Sequence, residues 1–136
     1  MSRPVIYIAG PISRGDLEHN INQAIEALKS LAMAGFAPWC PQLSCFSSGA
    51  FTDAASGQVY ARATTDGCGL AHSHWIKIDL TFVERSDAVL RLFGESVGAD
   101  AEVEHARGRG IPVFNSIDEV LSWYERKVRD GARSQA

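Results

Sequence analysis

Hydrophobic positions along this chain change period several times, and each change marks an element. Val5-Ile6-Tyr7-Ile8-Ala9 is a short apolar run rich in β-branched residues and closed by Gly10-Pro11. Such a run suits a central parallel strand buried on both faces. From about Asp16 the period lengthens: Ile21, Ala24, Ile25, Leu28, Leu31 and Ala32 recur at three- and four-residue steps, with Gly35 as a stop. This predicts an amphipathic helix of about four turns. Phe36-Ala37-Pro38-Trp39 reads as a short second strand, and a strand-helix-strand unit of this kind requires a parallel sheet.

Residues 40 to 71 hold no sustained period and are rich in Ser, Gly, Thr and Ala. A loop of that length in a compact domain is usually a functional one. Order returns at His74, where Trp75, Ile78 and Phe82 share a helical face. Ala88-Val89-Leu90-Arg91-Leu92 then reads as a third strand and Gly94-Glu95-Ser96-Val97-Gly98 as a turn. Ala99, Val103 and Ala106 mark the next helix, stopped by Gly110, and Ile111-Pro112-Val113-Phe114 is a fourth strand. Ser116 is placed to cap a last helix carrying Ile117, Val120, Leu121 and Tyr124. Residues 1–129 form a single domain on this reading, and Asp130 to Ala136 form a frayed polar tail. The alternation implies an α/β fold: an open, doubly wound (Rossmann-like), mostly parallel sheet of about four to five strands flanked by helices. Ligands in such sheets lie outside the carboxyl ends of the strands, which directs attention to loops 10–15, 40–71 and 93–98.

Composition narrows the classes. A chain of 136 residues, 46% apolar and 21% charged, is an ordinary globular domain and not a disordered one. The net charge of -3, with no Lys/Arg block, argues against a polymeric nucleic-acid partner. No apolar run approaches the roughly 20 residues of a membrane span, and the apolar run before Gly10 is too short for a signal-peptide core. A cytoplasmic location is expected, with no membrane partner. Cys40, Cys45 and Cys68 are odd in number and contain no Cys-x-x-Cys pair, so reduced thiols are expected.

Four groups of polar residues break the apolar pattern. Stepping about 100° per residue from Trp75 puts Asp79 near 40°, inside the apolar stripe with Phe82 and Val83. It either reaches the helix rim or a backbone amide, or it is aimed at a polar ligand. Counting from Ala99, Glu102 falls near 300°, beside Val103 and Ala106, while Asp100, Glu104 and Arg107 lie off that face. Glu102 is thus placed inward on the first turn, as a nucleophile or general base at the sheet edge, or as an acid favoured by the helix dipole. Ser96-Val97-Gly98 offers free amides and a hydroxyl suited to a phosphate or carboxylate, although these residues also fill ordinary turns. Gly10-Pro11-Ile12-Ser13-Arg14-Gly15 is a second turn at that edge, with Arg14 able to pair with an anion. It matches neither the dinucleotide fingerprint nor the P-loop. Cys68, His72, His74 and Asp79 fit no common zinc spacing. His19 and His105 are expected on solvated helix faces.

With these residues assembled, the chain resembles the nucleoside 2-deoxyribosyltransferase-like superfamily, including its nucleotide N-glycosidase branch and small bacterial and phage domains of unassigned function. The resemblance rests on Val5-Ile6-Tyr7-Ile8-Ala9-Gly10-Pro11, on the Asp79 helix running through Ser86-Asp87-Ala88-Val89, and on Ser96-Val97-Gly98-Ala99-Asp100-Ala101-Glu102 followed by Ala106 and Gly110-Ile111-Pro112. It implies that Glu102 is the glutamate that attacks the anomeric carbon. Tyr7 is implied to position that carboxylate, and Asp79 to contact the sugar or assist at the base. Ser96 and Gly98 match the loop that binds a 5'-phosphate, and the turn Gly10 to Arg14 is assigned to substrate. Glu104 departs from the pattern, since many relatives carry glycine there.

The resemblance further implies a small-molecule nucleoside or nucleotide substrate, no cofactor and a homo-oligomer built on a dimer. The chemistry is coherent: breaking an N-glycosidic bond builds oxocarbenium character that a carboxylate stabilises or captures. A module that binds nucleotides through the same pocket without turnover is the alternative. Retention of Tyr7, Asp79 and Glu102 together favours the enzyme.

Overall fold

A computed structural model of the chain describes residues 2–11, 15–41, 50–52, 59–61 and 72–135. The elements run β1 (Val5–Ala9), α1 (Leu17–Met33), β2 (Ala37–Trp39), β3 (Ala50–Thr52), β4 (Val59–Ala61), α2 (His72–Glu84), β5 (Ala88–Arg91), α3 (Val97–Gly108), β6 (Val113–Phe114) and α4 (Ile117–Gln135). Four strands form one sheet in the order β2-β1-β5-β6, every neighbouring pair parallel. This is the doubly wound α/β arrangement expected from the sequence. β2 lies on one side of β1 and β5 on the other, so the winding reverses between β1 and β5, and their carboxyl ends flank the switch-point crevice.

Both faces of the sheet are covered, which is why its strands read as unbroken apolar runs. Ile6, Ile8, Ala88 and Leu90 face α1 and α4, where they pack with Ala24, Ala27, Leu31, Phe36 and Val120. Tyr7, Ala9 and Val89 face α2 and α3 and pack with Val83, Ala99, Val103 and Ala106. Each fully buried Ile or Leu contributes about 1.5–3 kcal/mol relative to exposure.

Local signals set the helix ends. Asp16 caps α1 by accepting from the His19 amide at 3.2 Å. At the other end, Gly35 N–H reaches Ala32 O and Phe36 N–H reaches Leu31 O, at 3.2 and 3.0 Å. α3 ends the same way, with Gly110 to Arg107 at 3.1 Å and Ile111 to Ala106 at 2.9 Å. This is the double hydrogen bond of a Schellman ending, and the following apolar residue, Phe36 or Ile111, turns back into the core cluster of its face. Asp87 ties the start of β5 to β1: its carboxylate accepts from Val5 N at 2.7 Å and its amide donates to Val5 O at 2.8 Å.

Some expectations are corrected. Residues 50–52 and 59–61 pair as an antiparallel hairpin inside the stretch that reads as loop. Each strand is three residues long, too short to display a two-residue period. α4 continues to Gln135, beyond the boundary expected at 129. The segment after Asp130 contains no proline, and a single Gly131 costs a helix only about 1 kcal/mol, too little to stop it. On α2 the side chain fully enclosed is Val83, whereas Ile78 and Phe82 stay 37% and 41% exposed. Phe82 stacks on Trp39 of β2, with ring centroids 4.8 Å apart. Among the described residues no helix is long and apolar enough to cross a membrane.

Candidate active site

Tyr7 sits at the centre of β1, completely buried, on the face covered by α2 and α3. Strand alternation directs it there, because Ile6 and Ile8 take the opposite face. Glu102 comes down on the same face from α3. That helix begins at Val97, two residues before the apolar repeat suggests, so Glu102 lies on its second turn and not its first. The helix-dipole explanation of this acid therefore falls away, since that effect is confined to the first turn. Asp100 is the first-turn acid. Asp79, half-buried on α2, completes the group.

The Tyr7 hydroxyl and Glu102 Oε2 are both buried, and neither makes a hydrogen bond of acceptable geometry among the described residues. The two side chains are nonetheless close enough that an interaction between them draws the Glu102 carboxyl downward. They are poised near one another and left partly unsatisfied. Burial is the stronger influence and pushes the Glu102 carboxyl up to about 7; the negative charge of Asp79 adds to this and the Arg91 cation opposes it. Burial likewise raises the Tyr7 phenol far above its ordinary value, followed by the charges of Glu102 and Asp79, so Tyr7 is a neutral donor at any working pH. Buried unsatisfied polar groups of this kind cost about 1–3 kcal/mol each and are rare outside functional sites.

The seam between α2 and α3 holds these carboxylates in register. Glu84, at the end of α2, meets His105 Nε2 of α3 at 2.8 Å and accepts at 2.9 Å from Nη2 of Arg109, the residue that caps α3. The His105 hydrogen bond, with Arg109, holds the Glu84 carboxyl below its usual value. His105 is accordingly a bridging residue, half-buried at the seam, and not the solvated one expected; His19 is exposed as expected.

At the carboxyl edge, the loop after β5 approaches the turn after β1. A Cβ on Gly94 would lie 2.8 Å from Pro11 Cγ, and Gly94 has φ +124°, so glycine is required here twice over. Gly10 and Pro11 are thereby placed at the switch point, while Ile12, Ser13 and Arg14 lie outside the described residues, as do Cys45 and Cys68. Ser96 caps α3, its hydroxyl accepting from Ala99 N at 3.1 Å, and the Asp100 amide donates to Ser96 O at 3.0 Å. Gly98, in the first turn, is exposed. A depression of about 280 Å³ lined by Arg91, Leu92, Phe93, Gly94 and Asn115 opens at this edge. A larger groove of about 500 Å³ runs along the outer α2–α3 seam past Leu80, Ala101 and His105. It contains neither Tyr7 nor Glu102.

Sequence reasoning overlooked Arg91, reading it as one more strand residue. Its signal was a lone cation ending an apolar strand at the sheet's carboxyl edge.

The fold is nucleoside 2-deoxyribosyltransferase-like. Two solved structures show it. One is a 2-deoxyribosyltransferase of the psychrotolerant bacterium Bacillus psychrosaccharolyticus, described as a biocatalyst for nucleoside synthesis. It is 17% identical with a TM-score of 0.56, over 80% of this chain and 69% of that one. The other is a conserved protein from Enterococcus faecalis V583, 25% identical with a TM-score of 0.54, over 82% of this chain and 62% of that one. The chain thus spans less than two-thirds of the second structure. No family model and no curated protein matches the sequence.

Proposed function

We propose that this protein cleaves the N-glycosidic bond of a (deoxy)nucleoside or its 5'-monophosphate, with Glu102 as nucleophile. The observation that carries this reading is the buried, internally unsatisfied Tyr7–Glu102 pair, electrostatically coupled to Asp79 beside the switch-point crevice. A carboxylate held without full hydrogen bonding keeps a lone pair for carbon, and a neutral phenol beside it steers that carboxylate without neutralising it.

In the proposed reaction the ionised Glu102 attacks the anomeric carbon as the carbon–nitrogen bond breaks. The bonding pair leaves with the base, which takes a proton from water or from Asp79 when that carboxyl is protonated. Water, or a second base, then displaces Glu102 from the sugar, giving hydrolysis or sugar transfer. Gly10 to Arg14 would contact the substrate. The amides of Val97 and Gly98 and the Ser96 hydroxyl would receive a 5'-phosphate, at a helix start whose dipole favours an anion. A second copy of the chain would close the pocket: Phe93 and Val97, beside this rim, are 89% and 82% exposed.

The test is incubation with a panel of nucleosides and 5'-monophosphates, followed by chromatography for free base or exchanged nucleoside. Glu102→Gln should lower the rate by more than about 100-fold while leaving the fold intact. Binding without release of base by the wild-type protein would instead identify a nucleotide-binding module.

A further inference from the structure

Arg91, the last residue of β5, has a side chain only 14% exposed, and its guanidinium is hydrogen-bonded at the crevice. Nη1 donates to Leu92 O, while Nη2 donates to Gly94 O at 2.9 Å and to Asp100 Oδ1 at 3.0 Å. Two of these acceptors belong to the loop that approaches Pro11. The third is on the first turn of α3, two residues before Glu102. The strand register aligns Tyr7 with Val89 and Ala9 with Arg91. Alternation then brings Arg91 out on the same face as Tyr7, towards α3.

We propose that Arg91 is a positioning residue for the reaction proposed above, clasping the 92–94 loop to the start of α3 so that Glu102 is held towards the sugar site as an anion. The inference rests on that reading for its chemistry and on the clasp for its geometry. Among the described residues, the groups that act on Glu102 are Tyr7 from β1, Asp79 from α2 and Arg91 from β5, and Arg91 is the cation among them. Without it, burial and Asp79 both favour the protonated form, which cannot attack carbon. An arginine suits the position better than a lysine, because a planar fork can hold several oxygens at fixed angles whereas an ammonium acts as a point charge. Asp100 shares that positive charge and so moderates its effect on Glu102.

The experiment follows Glu102 directly, by carbon-13 NMR titration of its carboxyl in the full chain, assigned through its loss in Glu102→Gln. The same variants are measured for the pH profile of kcat/KM on a deoxynucleoside. Arg91→Gln should move the Glu102 midpoint upward and carry the acidic limb of the profile with it. Arg91→Lys should keep the midpoint near wild type but lower kcat by about 10- to 100-fold, because the charge remains and the clasp is lost. Asp100→Asn should move the midpoint down, and by more in the wild-type background than beside Arg91→Gln, a difference that the Asp100 charge acting alone does not produce.

An unmoved midpoint in folded Arg91→Gln, or full kcat in Arg91→Lys, overturns the proposal. If Arg91→Gln does not fold, the Arg91→Lys result alone decides, full kcat again overturning the proposal. If the wild-type protein turns over no nucleoside or nucleotide, the functional reading fails on its own, and the NMR midpoints still decide whether Arg91 governs Glu102.

Discussion

Replacing Glu102 by glutamine should stabilise the protein, and by an amount that depends on pH in a defined direction. Glu102 titrates at about 7 in the folded chain, against an ordinary value of 4.5 once the chain unfolds. The folded state therefore holds this proton more tightly than the unfolded state. Below about pH 4.5 both states are protonated and the group costs nothing; as pH rises through 7 the folded state must bury a charge, and stability is lost. At 1.36 kcal/mol per pH unit the full loss is about 3 kcal/mol.

Glutamine has nearly the same shape and never ionises, so it escapes that loss. The gain of Glu102→Gln over wild type should be near zero at about pH 4 and grow to about 3 kcal/mol by about pH 8. In a domain of this size that gain corresponds to a Tm higher by about 10 °C. Thermal unfolding followed by circular dichroism across this range, on both proteins, measures it. Parallel Tm-against-pH curves would show that the Glu102 carboxylate is not strained by burial, and with it the premise of a destabilised nucleophile would go.

Tyr7→Phe removes a buried hydroxyl with no well-formed hydrogen bond among the described residues, so stability should rise by about 1 kcal/mol while kcat falls, both read on one purified variant by urea titration and turnover. A stability loss together with full activity would place Tyr7 outside the site. Gly94→Ala should destabilise by about 1–3 kcal/mol, since the left-handed backbone and the contact with Pro11 Cγ both exclude a Cβ; an unchanged urea midpoint would contradict this. Ser96→Ala should cost about 1 kcal/mol of stability through the lost cap, and should lower kcat/KM for a 5'-monophosphate more than for the nucleoside. Equal effects on both substrates would put the phosphate elsewhere. Light scattering at working concentration should give the mass of a dimer; a mass near 14.7 kDa with activity retained on dilution speaks for a pocket closed by one chain.

Much of the fold is written locally. Tyr7 within a five-residue apolar run, the repeat from Ile21 to Ala32 between Asp16 and Gly35, and the inward place of Glu102 beside Val103 and Ala106 all follow from residues a few positions apart. The period of side-chain directions along a strand or helix is set by backbone geometry alone. Once strands alternate with helices, a parallel sheet with both faces covered is the remaining way to bury those runs, so the α/β class was legible before any coordinates.

The strand order β2-β1-β5-β6 and the register of Tyr7 with Val89 are facts of assembly, because the parallel strands pair residues far apart in sequence, 82 positions in the case of Tyr7 and Val89. The short hairpin at 50–52 and 59–61 escaped notice because pairing, not periodicity, defines it. The same is true of the site. That Glu102 is shifted upward, that Asp79 adds to this and Arg91 opposes it, depends on desolvation and on charges contributed by three separate elements. Sequence alone determined which residues could carry chemistry. Tertiary structure decided which of them feel one another, because electrostatic coupling depends on distance in space and on the water excluded between the groups.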